Sequence, residues 1–363
     1  MLTNSIKLYI IEAVQNIGGR MPTIDEVAKK AGVSLGTVSN VLNNPDKVKV
    51  ETRERVLKVI RELDFIPNMN ARNLSRLRTD TITLIYPFSK RPRKEHYYSD
   101  LLAGIIETCF TMNFKLVLSS LPETISLEEN LSAYARLVDS GAVDGVILTR
   151  PAVDDPVIQL LTAKKQNFVV FGRSNLSMDF SWVDIDGELG IKQAVKYLLK
   201  LNHRKIAYIG TSEEYVFSHH RLEGYKKGLL EEGFPIDSDL IIHTFENDDE
   251  IETGSSKMIK LLQLPDPPKA VIVAGSQLAI GAVKGIEKFG YEVGKDISVI
   301  CFDDADWSLH YNPPITAIRQ PLYDAGKMIA RMLIECILDK PSDKSQILLK
   351  PELIIRESCS KIE

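Results

Sequence analysis

The chain has 363 residues, of which 44% are hydrophobic and 26% are charged, which excludes a disordered or fibrous protein and predicts two or three globular domains. No segment contains the roughly 18 uncharged apolar residues that a membrane-spanning helix requires, so no membrane partner is expected. The formal net charge is −4, yet residues 1–80 carry 13 basic and 9 acidic side chains, so this part is positively charged and is expected to meet a polyanion.

The first predicted elements are three short helices between residues 23 and 63. Thr23 and Glu26 have the spacing of a capping box, so the first helix is expected to begin at about Ile24. Gly32 favours a left-handed turn at the end of that helix, and Ser34 is expected to cap the second one.

The predicted second helix has the sequence LGTVSNVLN and divides into an apolar and a polar face. Its expected core residues are Val38, Val41 and Leu42. Its expected outward residues are Leu35, Gly36, Thr37, Ser39, Asn40 and Asn43. A third helix, predicted from about Glu51, is expected to add Val56, Leu57, Ile60 and Leu63 to the same small core. Together these helices have the spacing of a helix-turn-helix.

A helix-turn-helix admits two interpretations at this point. As a DNA reader it would place the second helix in the major groove, with hydroxyl and amide side chains on phosphates and base edges. Alternatively, it is a three-helix docking module that binds another protein. Small and branched residues at this spacing are needed for helix packing alone, so they do not require a DNA-binding role. The basic residues in and after the module favour DNA.

The remainder of the chain has the pattern of an α/β protein. Residues 64–80 are too polar and too few for a domain and are predicted to be a linker with some helical character. From residue 81 onward, short β-branched runs alternate with amphipathic helical stretches. The seven predicted strands are residues 81–87, 114–120, 143–150, 167–173, 205–211, 270–275 and 297–304. They predict two lobes, each with a doubly wound parallel sheet, and a ligand cleft beyond the carboxyl ends of the strands.

Several of these segments resemble the LacI-GalR family of bacterial transcriptional regulators, the lactose and galactose repressor family. They include TIDEVAKKAGVSLGTVSNVLNN near the N-terminus and RLEGY, DISVICFDD and PPITAIRQP in the α/β part. The resemblance covers residues 22 to about 358. It implies an all-α headpiece, a hinge helix, a two-lobed core like that of periplasmic sugar-binding proteins, a homodimer, and control by a small effector.

The resemblance implies a division into four parts. These are an N-terminal extension at residues 1–20, the headpiece at 21–66, the hinge helix and linker at 67–80, and an effector-binding and dimerisation core at 81–363. The N-lobe of the core is expected at about 81–182 and 318–346, and the C-lobe at about 183–317 and 347–360. The extension precedes the usual start of the family and is either an extra helix on the headpiece, a coiled contact in the dimer, or the product of an upstream start codon.

The resemblance also implies which residues bind DNA. The family's base-reading positions are Leu35, Gly36 and Asn40 here, and its phosphate contacts are Thr37, Ser39 and Asn43. Many relatives have an arginine that suits guanine where this chain has Asn40, whose amide pairs with N6 and N7 of adenine. The expected partner is a pseudo-palindromic double-stranded operator that differs from the commonest family sites. The complete set of expected DNA contacts is Thr23, Ser34, Leu35, Gly36, Thr37, Ser39, Asn40, Asn43, Asn68, Ala71 and Leu74.

Residues 68–77 resemble the hinge helix of the family. Ala71 and Leu74 take its minor-groove positions, and Leu74 would be the wedge that kinks the duplex. A helix of about ten residues is marginal in water, so it is expected to form only when paired with a second copy on DNA. An effector that rotates the lobes would then act by separating the two hinge segments. The alternative is that Leu74 is a plain dimer-packing residue.

The implied effector is a small sugar-like molecule. Arg221 in RLEGY and Asp303 match family effector-binding positions, and a guanidinium fork and a carboxylate each bind vicinal hydroxyls. Tyr97 or Tyr98 takes the aromatic position beside the effector, and Arg173 is expected to face the same cleft. Two alternatives stay open, namely that Asp303 is a structural helix N-cap and that Tyr97 is a core residue.

One departure from the family concerns the cleft. Relatives often have Asn-Asp or Ser-Asp where this chain has Ser276-Gln277, so one familiar polar contact is missing and no single relative identifies the effector. Induction and corepression both stay open, because the sign depends on which lobe orientation the ligand prefers. A C-terminal segment without an added helix favours a dimer over a tetramer.

The competing functions are an α/β sugar-processing enzyme and a transport-type sugar-binding protein. The common phosphate-loop, nucleophile-elbow and zinc-protease motifs are missing from the sequence, so no enzymatic activity is expected. Asp303-Asp304 are neighbours and point in different directions, unlike the paired carboxylates of glycosidases. His219-His220 are interpreted as a solvated pair on a loop. A transport protein would need export, and no signal peptide is expected.

No cofactor and no metal ion are expected. The four cysteines are far apart and form no C-x-x-C pair, which argues against a zinc site and a disulfide framework. We therefore expect a cytoplasmic protein.

Overall fold

The computed structural model describes residues 22–43, 45–65, 78–88, 95–122, 126–245, 250–339 and 345–363, with only the backbone at residues 43, 86–88, 95–97 and 120–122. The chain divides into two compact units, residues 1–77 and 78–363, called here the N-terminal and C-terminal units. The predictions for residues 1–20, for the hinge residues Asn68, Ala71 and Leu74, and for the side chains of Asn43 and Tyr97 lie outside the described residues.

The described part of the N-terminal unit is helical. Helix α1 spans Ile24–Ala31, α2 spans Leu35–Asn43, and α3 spans Val50–Glu62, with a 3-10 turn at Pro45–Lys47. The capping box is confirmed, because the Thr23 hydroxyl accepts from the Glu26 amide and the Thr23 amide donates to the Glu26 carboxylate at 2.8 Å. Gly32 takes the left-handed conformation at φ +64°, and its position at the end of α1 turns the chain toward α2.

A small apolar core joins the three helices, and it differs from the expected one at one position. Val27, Val38 and Val56 are completely buried. Leu57 was expected in this core but is 37% exposed, and Val59 is buried in its place. Successive helical residues are about 100° apart, so once Val56 faces the core the residue beside it turns toward solvent and the one three positions on turns inward.

The first lobe of the C-terminal unit is built on a six-stranded parallel sheet. Its strands are β1 (Thr81–Phe88), β2 (Lys115–Pro122), β3 (Gly145–Thr149), β4 (Asn167–Phe171), β5 (Trp182–Ile185) and β11 (Gln346–Leu349), in the order β2-β1-β3-β4-β5-β11. Helices α4 (Glu95–Thr111) and α12 (Leu322–Ile337) cover one face. Helices α5 (Leu127–Asp139) and α6 (Pro156–Ala163) cover the other.

The second lobe repeats this architecture. Its strands are β6 (Ile206–Gly210), β7 (Ile241–His243), β8 (Ala270–Val273), β9 (Ser298–Phe302), β10 (Thr316–Arg319) and β12 (Glu352–Ile354), in the order β7-β6-β8-β9-β10-β12, with β12 antiparallel to β10. Helices α7 (Gly187–Lys200) and α8 (Val216–Glu231) cover one face. Helices α9 (Glu250–Leu262) and α10 (Ser276–Phe289) cover the other, and α11 (Asp306–His310) follows β9.

The chain passes between the two lobes after β5, β10 and β11. The last residues of these strands are Ile185, Arg319 and Leu349, so the expected lobe boundaries at 182, 317 and 346 each lie a few residues too early. Residues 183–185 and 347–349 pair within the first sheet, although the sequence placed them in the C-lobe.

The α/β fold with two doubly wound sheets is confirmed, and each of the seven predicted strands is present. The strands that the sequence did not predict are β5, β7, β10, β11 and β12, which have only three or four residues each. Runs of that length carry little periodicity and are hard to distinguish from loops. Strand β8 is equally short but was predicted from the longer apolar run at residues 270–275. Among the described residues, no helix is both long enough and apolar enough to cross a membrane.

Candidate functional site

Helix α2 presents a polar face with an exposed leading end. Leu35, Gly36 and Asn40 are exposed, and Leu35 in particular has 45% of its surface accessible although it is a large apolar residue. Thr37 and Ser39 are half-buried at the edge of this face. The predicted base-reading residues are therefore together on one accessible surface of the helix.

The predicted phosphate-binding hydroxyls are tied into helix caps. The Ser34 hydroxyl accepts from the Thr37 amide at 3.2 Å and lies 2.9 Å from the Thr37 hydroxyl. Thr23 occupies the equivalent capping position of α1. A capping hydroxyl lies beside the unpaired amides of the first helical turn, which are themselves suited to phosphate oxygens.

A cavity of about 420 Å³ lies in the C-terminal unit at the carboxyl ends of the strands of both sheets. This volume is within the usual range for small-molecule sites, and the position is where open α/β sheets bind ligands. Of the residues expected to bind an effector, those found in the cavity wall are Tyr98, Arg173, Arg221 and Asp303.

Arg221 is the most deeply buried cation of this wall, with 7% of its surface exposed. It projects from α8, and its guanidinium donates to the Ala274 carbonyl at 2.9 Å. The guanidinium carbon lies 3.6 Å from the Phe302 ring centroid and 4.7 Å from that of Phe217. Within the described residues, its Nε has no hydrogen-bond partner. A buried donor without a partner indicates a position for a ligand acceptor.

Asp303 follows β9 in a left-handed conformation with φ +83°. Its amide donates to the Ile318 carbonyl at 3.0 Å, and the Gln320 side chain donates to its carboxylate. Burial raises the pKa of Asp303. The alternative that Asp303 is a helix N-cap is wrong, because α11 begins at Asp306 with Ala305 in the capping position.

The neighbouring Asp304 has a different role. Its carboxylate lies 2.6 Å from Arg356 and 2.7 Å from Arg319, and it accepts from the Ser308 hydroxyl. Burial alone would raise its pKa, but the hydrogen bonds and charges of the two arginines outweigh burial and hold the pKa of Asp304 below its ordinary value. The two carboxylates therefore serve separate partners, as expected for adjacent residues.

Arg173 follows β4 in the first lobe, lines the cavity, and is held by Asp184 at 2.7 Å. His220 lies in the same wall, and burial together with the positive charge of Arg173 lowers its pKa, so the imidazole is neutral at neutral pH. The sequence placed His219 and His220 on a solvated loop. That was wrong, since both lie within α8, and only His220 lines the cavity.

Tyr98 is both a core residue and a cavity residue. It is 3% exposed, packs in the core under the first sheet, and has its hydroxyl 3.5 Å from that of Thr149. Tyr97 has no described side chain. Within the described ranges, no group of three or more His, Cys, Asp or Glu side chains is placed to hold a metal ion.

Several aromatic residues in the cavity wall were not predicted, among them Tyr215, Phe217 and Trp307. Tyr215 and Phe217 stack with a centroid distance of 5.3 Å, and the Arg150 guanidinium lies 4.5 Å from the Tyr215 centroid. On another part of the wall, Trp307 donates to the Ser276 hydroxyl at 2.8 Å. The only signal in the sequence for these aromatic residues was their position shortly after strands whose carboxyl ends meet at the cleft.

The Arg150–Tyr215 contact joins the two lobes across the cavity. Ala152 and Tyr215 form an isolated antiparallel bridge, and the Val153 amide donates to the Glu214 carbonyl at 3.1 Å. Arg150 and Ala152 follow β3 of the first sheet, whereas Tyr215 follows β6 of the second. The lobes therefore touch at one side of the cavity and partly enclose it.

Comparisons with known proteins agree with this architecture. Residues 23–68 match the family model for bacterial regulatory proteins of the lacI family, and residues 195–359 match that for a periplasmic binding protein-like domain. The transcriptional regulator AglR of Rhizobium meliloti (strain 1021) is 35% identical over 92% of this chain and 93% of its own.

Solved structures extend the similarity to three dimensions. A complex of the transcriptional regulator CelR with cellobiose is 31% identical, covers 93% of this chain and 99% of its own, and has a TM-score of 0.71. A lac repressor dimer bound to operator and the anti-inducer ONPF is 27% identical over 94% of this chain and all of its own, with a TM-score of 0.79. The resemblance inferred from the sequence is thereby confirmed, and the chain belongs to the LacI family of bacterial regulatory proteins.

Proposed function

We propose that the protein is a sequence-specific, DNA-binding transcriptional regulator of the repressor type, whose operator affinity is controlled by a small sugar-like ligand in the cavity of the C-terminal unit. The observation that carries this proposal is that one chain combines an exposed polar face on α2 with a partly enclosed cavity around the buried Arg221. DNA binding and ligand binding are thus assigned to separate parts of the molecule.

For the DNA, the proposal assigns base contacts to Leu35, Gly36 and Asn40, and phosphate contacts to the hydroxyls and amides around them. The duplex is a pseudo-palindrome, because two identical subunits related by a two-fold axis read two equivalent half-sites. The similarity to a lac repressor dimer on its operator supports a homodimer. As a regulator of transcription the protein acts in the cytoplasm.

For the ligand, the proposal assigns Arg221 and Asp303 to hydroxyl groups, with Tyr98 and Arg173 as further contacts. Charged side chains form strong paired hydrogen bonds to vicinal hydroxyls, which suits a polyol. The complex of CelR with cellobiose supports a saccharide in an equivalent fold.

We propose binding without turnover. Glycoside cleavage needs a proton-donating carboxylic acid opposite a second carboxylate. Burial raises the pKa of Asp303, but the neighbouring Asp304 is committed to Arg356 and Arg319 and is not available as the second carboxylate. Incubation with any saccharide that binds should return that saccharide chemically unchanged.

The direct test selects duplexes from a random library with the purified full-length protein and measures affinity for the enriched sequence by fluorescence anisotropy. The expected result is enrichment of a pseudo-palindrome that binds far more tightly than a shuffled duplex of the same length. Binding of saccharides with no enrichment of any sequence would instead support the transport-type function. Equal affinity for enriched and shuffled duplexes would overturn the regulator proposal.

A further inference from the structure

The geometry points to an uncharged saccharide of two linked rings as the ligand of the cavity, with single-ring sugars and acidic sugars bound weakly. This inference rests on the proposed function, because it names the class of effector within the sugars. It draws on four features of the cavity, namely its volume, the pairing of its charges, the open space beside Arg221, and its two separate aromatic surfaces.

The volume exceeds the needs of one ring. The cavity of about 420 Å³ lies within the roughly 300–1,000 Å³ range of pockets that bury drug-sized ligands, which are larger than one sugar ring. A single ring would leave part of the wall without contacts and would have to share the site with water. A second ring recovers those contacts.

The charges of the wall are largely compensated within the protein. Arg173 is paired with Asp184, and Arg319 with Asp304. The positive charge of Arg221 acts on Asp303, and these two partly offset each other. The other charged residues of the wall are Asp100, Arg150, Glu250 and Asp306. Three of these four are acidic, so among the described residues of the wall a phosphate or carboxylate on the ligand would meet more negative than positive charge while losing its hydration.

The space beside Arg221 suits a neutral acceptor. Gly187 lies next to it, and a Cβ atom at position 187 would be 3.1 Å from the Arg221 Cγ and 3.7 Å from its Nε. The lack of a side chain there leaves room beside the Nε, which has no partner within the described residues. A sugar hydroxyl or ring oxygen satisfies this donor without adding a charge.

Two of the aromatic surfaces of the wall lie at different helices. Tyr215 and Phe217 form one, at the start of α8, and Trp307 on α11 forms the other. The Trp307 indole is oriented by its hydrogen bond to Ser276. Sugar rings carry apolar C–H faces that pack on aromatic rings, so two separate aromatic surfaces suit two rings joined by a glycosidic bond.

The test is isothermal titration calorimetry of the full-length protein with a fixed set of sugars. The single-ring sugars are glucose and galactose. The uncharged two-ring sugars are cellobiose, maltose, lactose and melibiose. The acidic sugars are glucose 6-phosphate and glucuronate. We expect at least one two-ring sugar to bind about tenfold or more tightly than every single-ring and acidic sugar. Equal or tighter binding of a single-ring or acidic sugar, or no binding by any two-ring sugar, overturns the inference.

Intrinsic fluorescence ties the binding to this cavity. The chain has two tryptophans, Trp307 in the cavity wall and Trp182 outside it. The binding sugar should change the fluorescence of the Trp182→Phe variant as it does that of the wild type, whereas Trp307→Phe should lose most of the change. The reverse pattern would show that the sugar does not reach the Trp307 surface and would overturn the inference, since Trp182 lies against the cavity residue Arg173, 5.6 Å from its guanidinium carbon.

A second variant fills the space beside Arg221. Gly187→Ala should lower the affinity for the two-ring sugar about tenfold. It should leave the thermal unfolding midpoint of the unliganded protein within a few degrees of wild type. Unchanged affinity overturns the role of this space. Duplex selection on the wild type separates this inference from the proposed function, since an operator can be found even if every sugar of the set fails.

Discussion

The guanidinium of Arg221 lies against the ring of Phe302, with its central carbon 3.6 Å from the ring centroid. A cation in this position over an aromatic face gains about 2 kcal/mol when it is shielded from water. The hydrogen bond to the Ala274 carbonyl at 2.9 Å further restricts the guanidinium. The residue is therefore held in one orientation before any ligand arrives, which lowers the entropic cost of binding.

Replacing Arg221 by lysine should abolish the response of DNA binding to the effector. Lysine keeps the charge but has no planar group to lie on Phe302 and no second nitrogen to face the ligand. Operator affinity without ligand should change little, because Arg221 is not part of the N-terminal unit. Anisotropy titrations of the enriched duplex with and without ligand measure both quantities.

Arg204→Lys is the matched control for this variant. Arg204 also lies over an aromatic ring, 5.2 Å from the Phe234 centroid, and donates to the Leu199 carbonyl, but it does not line the cavity. It should leave the ligand response intact. If Arg221→Lys keeps a full response, or if both variants lose it equally, Arg221 is not the specific ligand contact.

The Asp304–Arg356 ion pair should be important for stability. Both side chains are largely buried, at 7% and 12% exposure, so removing the carboxylate leaves a buried arginine without its partner. Asp304→Asn should lower the free energy of unfolding by about 3 kcal/mol. The exposed pair of Asp139 and Lys164 is the control, and Asp139→Asn should cost less than about 1 kcal/mol. Urea denaturation followed by circular dichroism compares the two.

The same ion pair gives a pH dependence of defined sign. The pKa of Asp304 is lower in the folded protein than in the unfolded chain, so the stabilisation is complete above the ordinary aspartate pKa of about 4 and is lost as the pH falls through the lower folded value. The stability difference between wild type and Asp304→Asn should accordingly shrink at low pH. A difference that stays constant from neutral to acidic pH would contradict this assignment.

Asn40 should determine the preference for one base pair of the operator. Its exposed position on α2 and its amide predict contacts to adenine, so Asn40→Ala should reduce discrimination at one position by about 1–3 kcal/mol. Competition titrations with single-base variants of the enriched duplex measure it. An equal loss of affinity for every single-base variant would indicate that Asn40 contacts the DNA backbone and not a base.

Leu74→Ala should weaken specific DNA binding more than non-specific binding. A wedge residue contributes only when the duplex is kinked at the operator, so specific affinity should fall about tenfold while affinity for random duplex is retained. The salt dependence should stay unchanged, because leucine neutralises no phosphate. An equal loss on both duplexes would favour a packing role for Leu74.

Much of the fold followed from local patterns in the sequence. The Thr23–Glu26 capping box, the turn at Gly32 and the long strands β1 and β9 each have a signal within a few residues of chain, and each is present in the structure. The short strands β5, β7, β10, β11 and β12 form because neighbouring strands in the sheets offer them hydrogen bonds, and that information is not local.

The cavity shows the same division between local and tertiary information. Arg221, Asp303 and Tyr98 lie in its wall as the resemblance to the family implied, and Arg173 lies there as the predicted topology implied. His220 was misplaced because the start of α8 has no capping side chain, which made the segment resemble a loop. Leu57 was misplaced because hydrophobicity alone does not fix the rotation of α3 within a core of three helices.

The most direct test of the account measures affinity of the full-length protein for its enriched duplex and for a shuffled duplex, each with and without the two-ring sugar that binds most tightly. The account predicts a preference for the enriched duplex of about a thousandfold or more. It also predicts that the sugar changes this affinity at least fivefold while leaving the shuffled duplex unaffected. Equal affinity for both duplexes, or an enriched-duplex affinity that the bound sugar does not alter, would contradict it.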